Sequence, residues 1–178
     1  SGQIPGSGYV PYDDEGTAAK ETYLIKDGIL TGRLHSASTA AALEEGLTGN
    51  ARAISFEYEP IVRMTTTYIK PGSKTFDELV SEVDDGYLIE TIKHGSGLST
   101  FTIAPSLAYR IENGKITDPV NIAVISGTVF ETLSEIDGLS DKLELLSFVT
   151  GGCGKMEQYP LPVGFGGPYV RVRNMMVQ

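Results

Sequence analysis

Side chains that can do chemistry are sparse in this sequence: one cysteine and two histidines, His35 and His94. The cysteine lies in Gly151-Gly152-Cys153-Gly154-Lys155, followed by Pro160, Pro162 and the run Gly164-Phe165-Gly166-Gly167-Pro168. Glycines on both sides of a thiol let the backbone reach φ > 0 and let another group approach closely, so the sulfur is presented rather than packed. Three roles are open to it. Cys153 is a small apolar filler in a glycine-rich turn, a nucleophile served by His35 or His94 as base, or a metal ligand. A closed structural zinc site takes four nitrogen or sulfur ligands, more than one cysteine and two histidines supply. His94, in His94-Gly95-Ser96-Gly97, reads as a solvated turn histidine. Asp13-Asp14-Glu15-Gly16 reads as a solvated acidic turn, since its carboxylates lack the alternating spacing of a calcium loop.

The elements that must position these groups are short. Residues 1–21 read as a loop-like entry segment, and 22–178 as a single domain. Asp27-Gly28 and Asn113-Gly114 are tight-turn pairs between apolar stretches and predict two hairpins, 22–33 and 107–118. Their sequences, Tyr23 to Thr31 and Tyr109 to Thr117, resemble each other, as an internal duplication or as two similar turns. A helix is expected from Ser36 or Ser38 to Glu45 with Gly46 as its stop. Thr75 with Glu78 and Thr128 with Glu131 have the spacing of capping boxes, the second helix ending at Gly138. Strands are expected at 52–58, 62–70, 87–93, 98–104, 120–126 and 143–149, with a last one carrying Val170, Val172 and Met176. In the 62–70 strand, Arg63, Thr65 and Thr67 share the face opposite Val62, Met64 and Tyr68. They are therefore the candidates to line a groove for an extended peptide added at the sheet edge. The fold class is α+β, a predominantly antiparallel sheet of hairpins with about three short helices packed on it.

Composition excludes several classes. The 178 residues carry 23 acidic against 14 basic side chains, a formal charge of −9 with no basic cluster, which argues against a nucleic-acid surface. No apolar run approaches the ~18 residues of a membrane span. A lone cysteine cannot form an internal disulfide, and a cytoplasmic home is the simpler expectation. Ser1-Gly2, with no initiating methionine, suggests a tag scar or the interior of a longer protein.

Asp13-Asp14-Glu15-Gly16-Thr17, Leu34-His35-Ser36, Thr48-Gly49-Asn50-Ala51-Arg52, Arg63-Met64-Thr65-Thr66-Thr67-Tyr68, Ile111-Glu112-Asn113-Gly114, Cys153-Gly154-Lys155 and Pro162-Val163-Gly164 follow one another in this chain. That ordered set resembles the C-terminal half of the TldD/PmbA proteins, also labelled modulators of DNA gyrase. The resemblance implies a cytoplasmic zinc metallopeptidase that processes peptides and unfolded proteins, working with a PmbA-type partner subunit or as a homodimer. It implies that a helix bearing His-Glu-x-x-x-His supplies two metal ligands and the catalytic glutamate, and that Cys153 matches the third ligand. It also places the chain with the TldD type, because PmbA-type subunits lack that cysteine. The histidine motif is absent from this sequence. The expectation is therefore a C-terminal domain without the parent's N-terminal domain, inactive alone and weak in zinc binding. A non-catalytic module for peptide binding or subunit assembly is the alternative.

Overall fold

The computed structural model describes residues 8–178, which form two compact units. The first holds the described residues up to Ile69 together with Glu144–Gly167, and the second holds Lys70–Leu143 with Pro168–Gln178. The stretch 22–178, read from sequence as one domain, thus contributes to both.

In chain order the first unit begins with β1 (Ile25–Lys26) and β2 (Ile29–Leu30), then α1 (Ala37–Leu43), β3 (Ala51–Arg52), β4 (Ile61–Val62) and β5 (Thr66–Tyr68). The β1–β2 turn puts Asp27 at φ 53° and Gly28 at φ 76°, the double left-handed geometry that an Asp-Gly pair favours. Ser36 caps α1, with Thr39 completing the box. The helix stops at Glu44, itself left-handed at φ 54°, two residues before Gly46. The expected strand 52–58 shrinks to β3. Residues 53–60 form a loop, held by the Gln158 side-chain amide, which accepts from Ile54 N at Oε1 (3.2 Å) and donates from Nε2 to Glu59 O (2.9 Å).

The second unit starts with α2 (Phe76–Ser81), whose Thr75 and Glu78 form the expected reciprocal capping box. Phe76 packs on Tyr169 with ring centroids 4.5 Å apart, and Leu79 is buried against Gly138, where an added Cβ would stand 2.6 Å from Leu79 Cδ2. β6 (Asp85–Gly97) and β7 (Thr100–Glu112) form one long antiparallel hairpin turning at Leu98 and Ser99. His94 is accordingly an exposed strand residue opposite Ala104, not a turn residue, because the ladder runs on through its flanking glycines. β7 then pairs with β8 (Lys115–Val120) across Asn113 (φ 48°) and Gly114 (φ 74°). The expected strand at 120–126 is displaced: residues 121–124 are irregular and β9 is Ile125–Thr128. Its apolar residues still bury, as Ala108, Ile122 and Ile125 form a core with Ile89, Ile103, Val120, Met175 and Val177 around them.

α3 (Val129–Ser134) has only half of its expected box. The Thr128 hydroxyl accepts from Glu131 N and donates to Glu131 Oε2. Gly138 does not end this helix. It lies in β10 (Ile136–Leu139). The chain then returns to the first unit as β11 (Glu144–Lys155) and β12 (Gln158–Gly167), and finishes in the second with β13 (Val170–Val172) on β10 and β14 (Met176–Val177) on β9. Pairings are antiparallel throughout the named strands except β12 with β5, which is parallel. The architecture is α+β, hairpin-rich and predominantly antiparallel, with three short helices among the described residues. No helix among them is long and apolar enough to cross a membrane.

One ion-pair cluster ties the second unit together. Arg171 on β13 donates Nε to Asp137 (2.6 Å) and Nη1 to Glu82 (2.8 Å) and to Leu79 O (3.2 Å), while Lys74 reaches both Glu82 oxygens at 2.6 Å and Arg173 joins Asp137. The Arg171 bond is the main cause that holds Asp137 below the usual carboxylate range, and the Lys74 bond, then Arg171, does the same for Glu82. A carboxylate depressed in the folded state adds stability that is complete above its unfolded value and is lost as pH falls through the folded one. The unit should hold its melting temperature from neutrality down to about pH 5, then lose it progressively in acid. Asp137→Asn should flatten part of that acid limb in thermal scans taken at several pH values. An unchanged pH profile would remove the cluster from the account.

Candidate metal-ligand site around Cys153

The glycine-rich stretch that reads as a loop is strand. Cys153 lies in β11, and Gly164-Phe165-Gly166-Gly167 lies in β12. The register explains the glycines. Phe148 faces Val163 and Cys153 faces Leu161, so five steps along β11 are matched by two along β12, and the excess bulges out. A second irregularity follows, since Lys155 faces Gln158. Gly152 takes φ 133° inside the bulge, and a Cβ there would stand 2.2 Å from Leu161 O. The backbones are in direct contact where only hydrogen fits.

Cys153 is half-buried, with Sγ 3.7 Å from Gly154 O. Around it the first unit gathers cations. Arg63, 2 % exposed, donates Nη2 to Cys153 O at 2.5 Å and Nη1 to Gln158 O at 3.3 Å. Arg52 on β3 is buried and donates Nη1 to Met64 O at 2.8 Å. Burial first, and then the Arg63 charge, lower the Arg52 pKa from the ordinary arginine value, while Asp14 and Cys153 act against that shift. Lys155 Nζ caps Val62 O at 2.9 Å. A thiolate is the metal-binding form of cysteine, and it is the charge opposite to these guanidinium groups.

Of the other predicted residues, only Arg63 bonds to the Cys153 backbone. Arg63 and Thr65 are buried, not on a solvent face. The alternation that put them outside assumes one strand over 62–70, whereas β4 ends at Val62, β5 begins at Thr66, and Thr65 and Thr66 are buried consecutively. Thr67 alone is exposed. It lines an open cleft of about 490 Å³ with Tyr68, Ile69, Leu146 and Phe165 beside the outer strand β5. His35 is buried at the head of α1, its Nε2 2.8 Å from Glu45 Oε2 and its Nδ1 3.1 Å from Thr39 Oγ1. Both ring nitrogens are thus engaged away from the thiol, which argues against His35 as the base of a cysteine nucleophile. Among the described residues, no three of His, Cys, Asp and Glu come together as a metal site. The donor chemistry fits one ligand of a shared centre, a thiol on a fixed backbone among positive charges, and no more than one.

The chain is α+β with a single half-buried thiol, and comparison with other proteins identifies its family. Over residues 1–178 the chain matches the PmbA/TldA metallopeptidase C-terminal domain, and it belongs to that family. It is 42 % identical over 98 % of its length to a metalloprotease of Methanothermobacter thermautotrophicus, covering 38 % of that protein. It is 35 % identical over 97 % of its length to a zinc metalloprotease TldD homolog of Saccharolobus solfataricus, covering 39 % of it. Among solved structures it is similar to a protein of Thermotoga maritima described as a candidate modulator of a DNA gyrase, with TM-score 0.72, 26 % identity, and 100 % and 38 % of the two chains covered. The chain therefore spans well under half the length of these relatives.

Proposed function

We propose that this chain is the domain of a TldD-type zinc peptidase that contributes one metal ligand, the Cys153 thiolate. The observation that carries this reading is the state of Cys153: a backbone gripped by the buried Arg63 and flanked by two register breaks, with a thiol left half-exposed. Two histidines and a glutamate come from a part of the protein outside this sequence. A zinc ion held there would supply Lewis-acid activation of water for attack near neutral pH. This chain's part is to hold sulfur at a set place and to surround its negative charge with Arg52 and Arg63. The substrates are peptides or unfolded proteins, the setting is cytoplasmic, and the assembly is with a PmbA-type partner or a second copy. The outer strand β5 with its cleft at Thr67 is the place where an extended peptide adds a strand, and it supports the second reading, a peptide-binding module.

The test uses the full-length protein that carries this sequence. Cys153→Ser should lower bound zinc from about one per chain to a small fraction and abolish peptide hydrolysis, as a chelator should. The 178-residue chain alone should neither hydrolyse peptide nor retain zinc through dialysis. Full zinc occupancy in Cys153→Ser, with peptide binding intact, would replace the peptidase reading by the module.

A further inference from the structure

We infer that Arg63 is the positioning residue for Cys153, a guanidinium that sets where the thiol sits without touching the metal. The inference rests on the reading of Cys153 as a ligand. A strand residue is ordinarily held by the ladder on either side of it. Cys153 pairs with Leu161 between two breaks in register, so that the ladder fails it in both directions. Arg63 takes the ladder's place. Its fork donates to Cys153 O on β11 and to Gln158 O on β12, clamping the two strands across the turn at Met156 and Glu157. The clamp is itself fixed, because Arg63 N donates to Asn50 O at 2.8 Å and Arg63 O accepts from Asn50 Nδ2 at 3.1 Å.

No carboxylate pairs with Arg63 among the described residues, its neighbour Arg52 carries the same sign, and its Nε–H is buried without a hydrogen-bond partner. Such an arrangement lowers stability relative to a satisfied core, while both main-chain contacts of the guanidinium bear on the hairpin that carries the thiol. Lysine has one compact ammonium in place of the guanidinium's two separated donor nitrogens, so it spans the two carbonyls less well.

The experiment compares Arg63→Gln, Arg63→Lys and Cys153→Ser in the full-length protein, well below the melting temperature. Zinc retained against increasing chelator is read beside the alkylation rate of Cys153 in metal-free protein, with the modified peptide identified by mass spectrometry. Arg63→Gln should release zinc to about tenfold less chelator, with Arg63→Lys in between, and Arg63→Lys, which keeps the positive charge beside the thiol, should speed alkylation severalfold. On a Cys153→Ser background, Arg63→Gln should change zinc retention no further. A residue that only stabilises the fold would lower the melting temperature and leave zinc retention and alkylation of the folded protein unchanged, which overturns the inference. If Cys153→Ser loses zinc while both Arg63 variants keep it, positioning fails and the ligand reading stands. If Cys153→Ser keeps zinc, both fail. Should Arg63→Gln not fold, Arg63→Lys, which keeps the charge, decides alone.

Discussion

Gly152→Ala should destabilise the protein by at least about 3 kcal/mol, more than a glycine change elsewhere in the chain that meets only open space. Two costs coincide at this position. An L-residue held at φ 133° occupies a region that only glycine adopts freely, which costs about 1–3 kcal/mol. The new methyl would also stand 2.2 Å from Leu161 O and 2.6 Å from Leu161 C, main-chain atoms that no rotamer change can move aside. β11 and β12 must therefore part at the residue next to Cys153. Gly16→Ala is the control, with φ 78° and nothing within 4 Å of the added carbon, so it should cost only about 1 kcal/mol. Urea unfolding of the two variants measures the difference, and equal losses would show that the close approach at Leu161 is not the constraint. In the full-length protein Gly152→Ala should also weaken zinc retention, since Cys153 shares its peptide bond.

The two tight hairpins and the Thr75 capping box were legible because each is a local device. Asp27-Gly28 and Asn113-Gly114 adopt the positive φ pair that their residue types favour, and Thr75 and Glu78 bond across a single helical turn. The Cys153 segment was illegible for the opposite reason. Glycine raises the odds of a loop, yet here it permits two strands to touch through a bulge, and the partner that requires it, Leu161, is set by pairing. Arg63 was legible as chemistry but placed on the wrong side. A period-2 pattern fixes a face only while the strand continues, and here the strand is interrupted between Val62 and Thr66. Its contacts at Cys153 and Gln158 are some ninety residues away in sequence, and no spacing rule reaches that far. Family resemblance, by contrast, selected Cys153 from a pattern of short motifs spread along the chain.

Asp13→Ala should destabilise by roughly 3–5 kcal/mol, whereas Asp14→Ala, one residue on, should stay within about 1 kcal/mol. The acidic run that contains both reads as a solvated turn, but Asp13 is buried and its carboxylate is a bracket for main-chain donors. Oδ1 accepts from Glu15 N at 3.1 Å and Thr17 N at 2.8 Å, and Oδ2 accepts from Ala51 N at 2.9 Å. Ala51 is fully buried in β3 and leads directly into Arg52, so the bracket joins the entry turn to the strand that carries one of the cations beside Cys153. Truncation leaves three amides unmet, each costing about 1–3 kcal/mol where water cannot substitute. Water can substitute at exposed Glu15, which keeps the total below the sum of three full penalties. Asp14 is exposed and its carboxylate holds one donor, Ala53 N at 2.7 Å, a bond that solvent replaces. Asp13→Asn separates charge from shape: the amide keeps one acceptor oxygen and turns an N–H₂ toward a backbone N–H, so roughly half of the alanine loss should remain. Unfolding in urea ranks the three variants. If Asp13→Ala costs no more than the small loss expected for Asp14→Ala, the turn is a solvated acidic surface and the bracket does not hold β3.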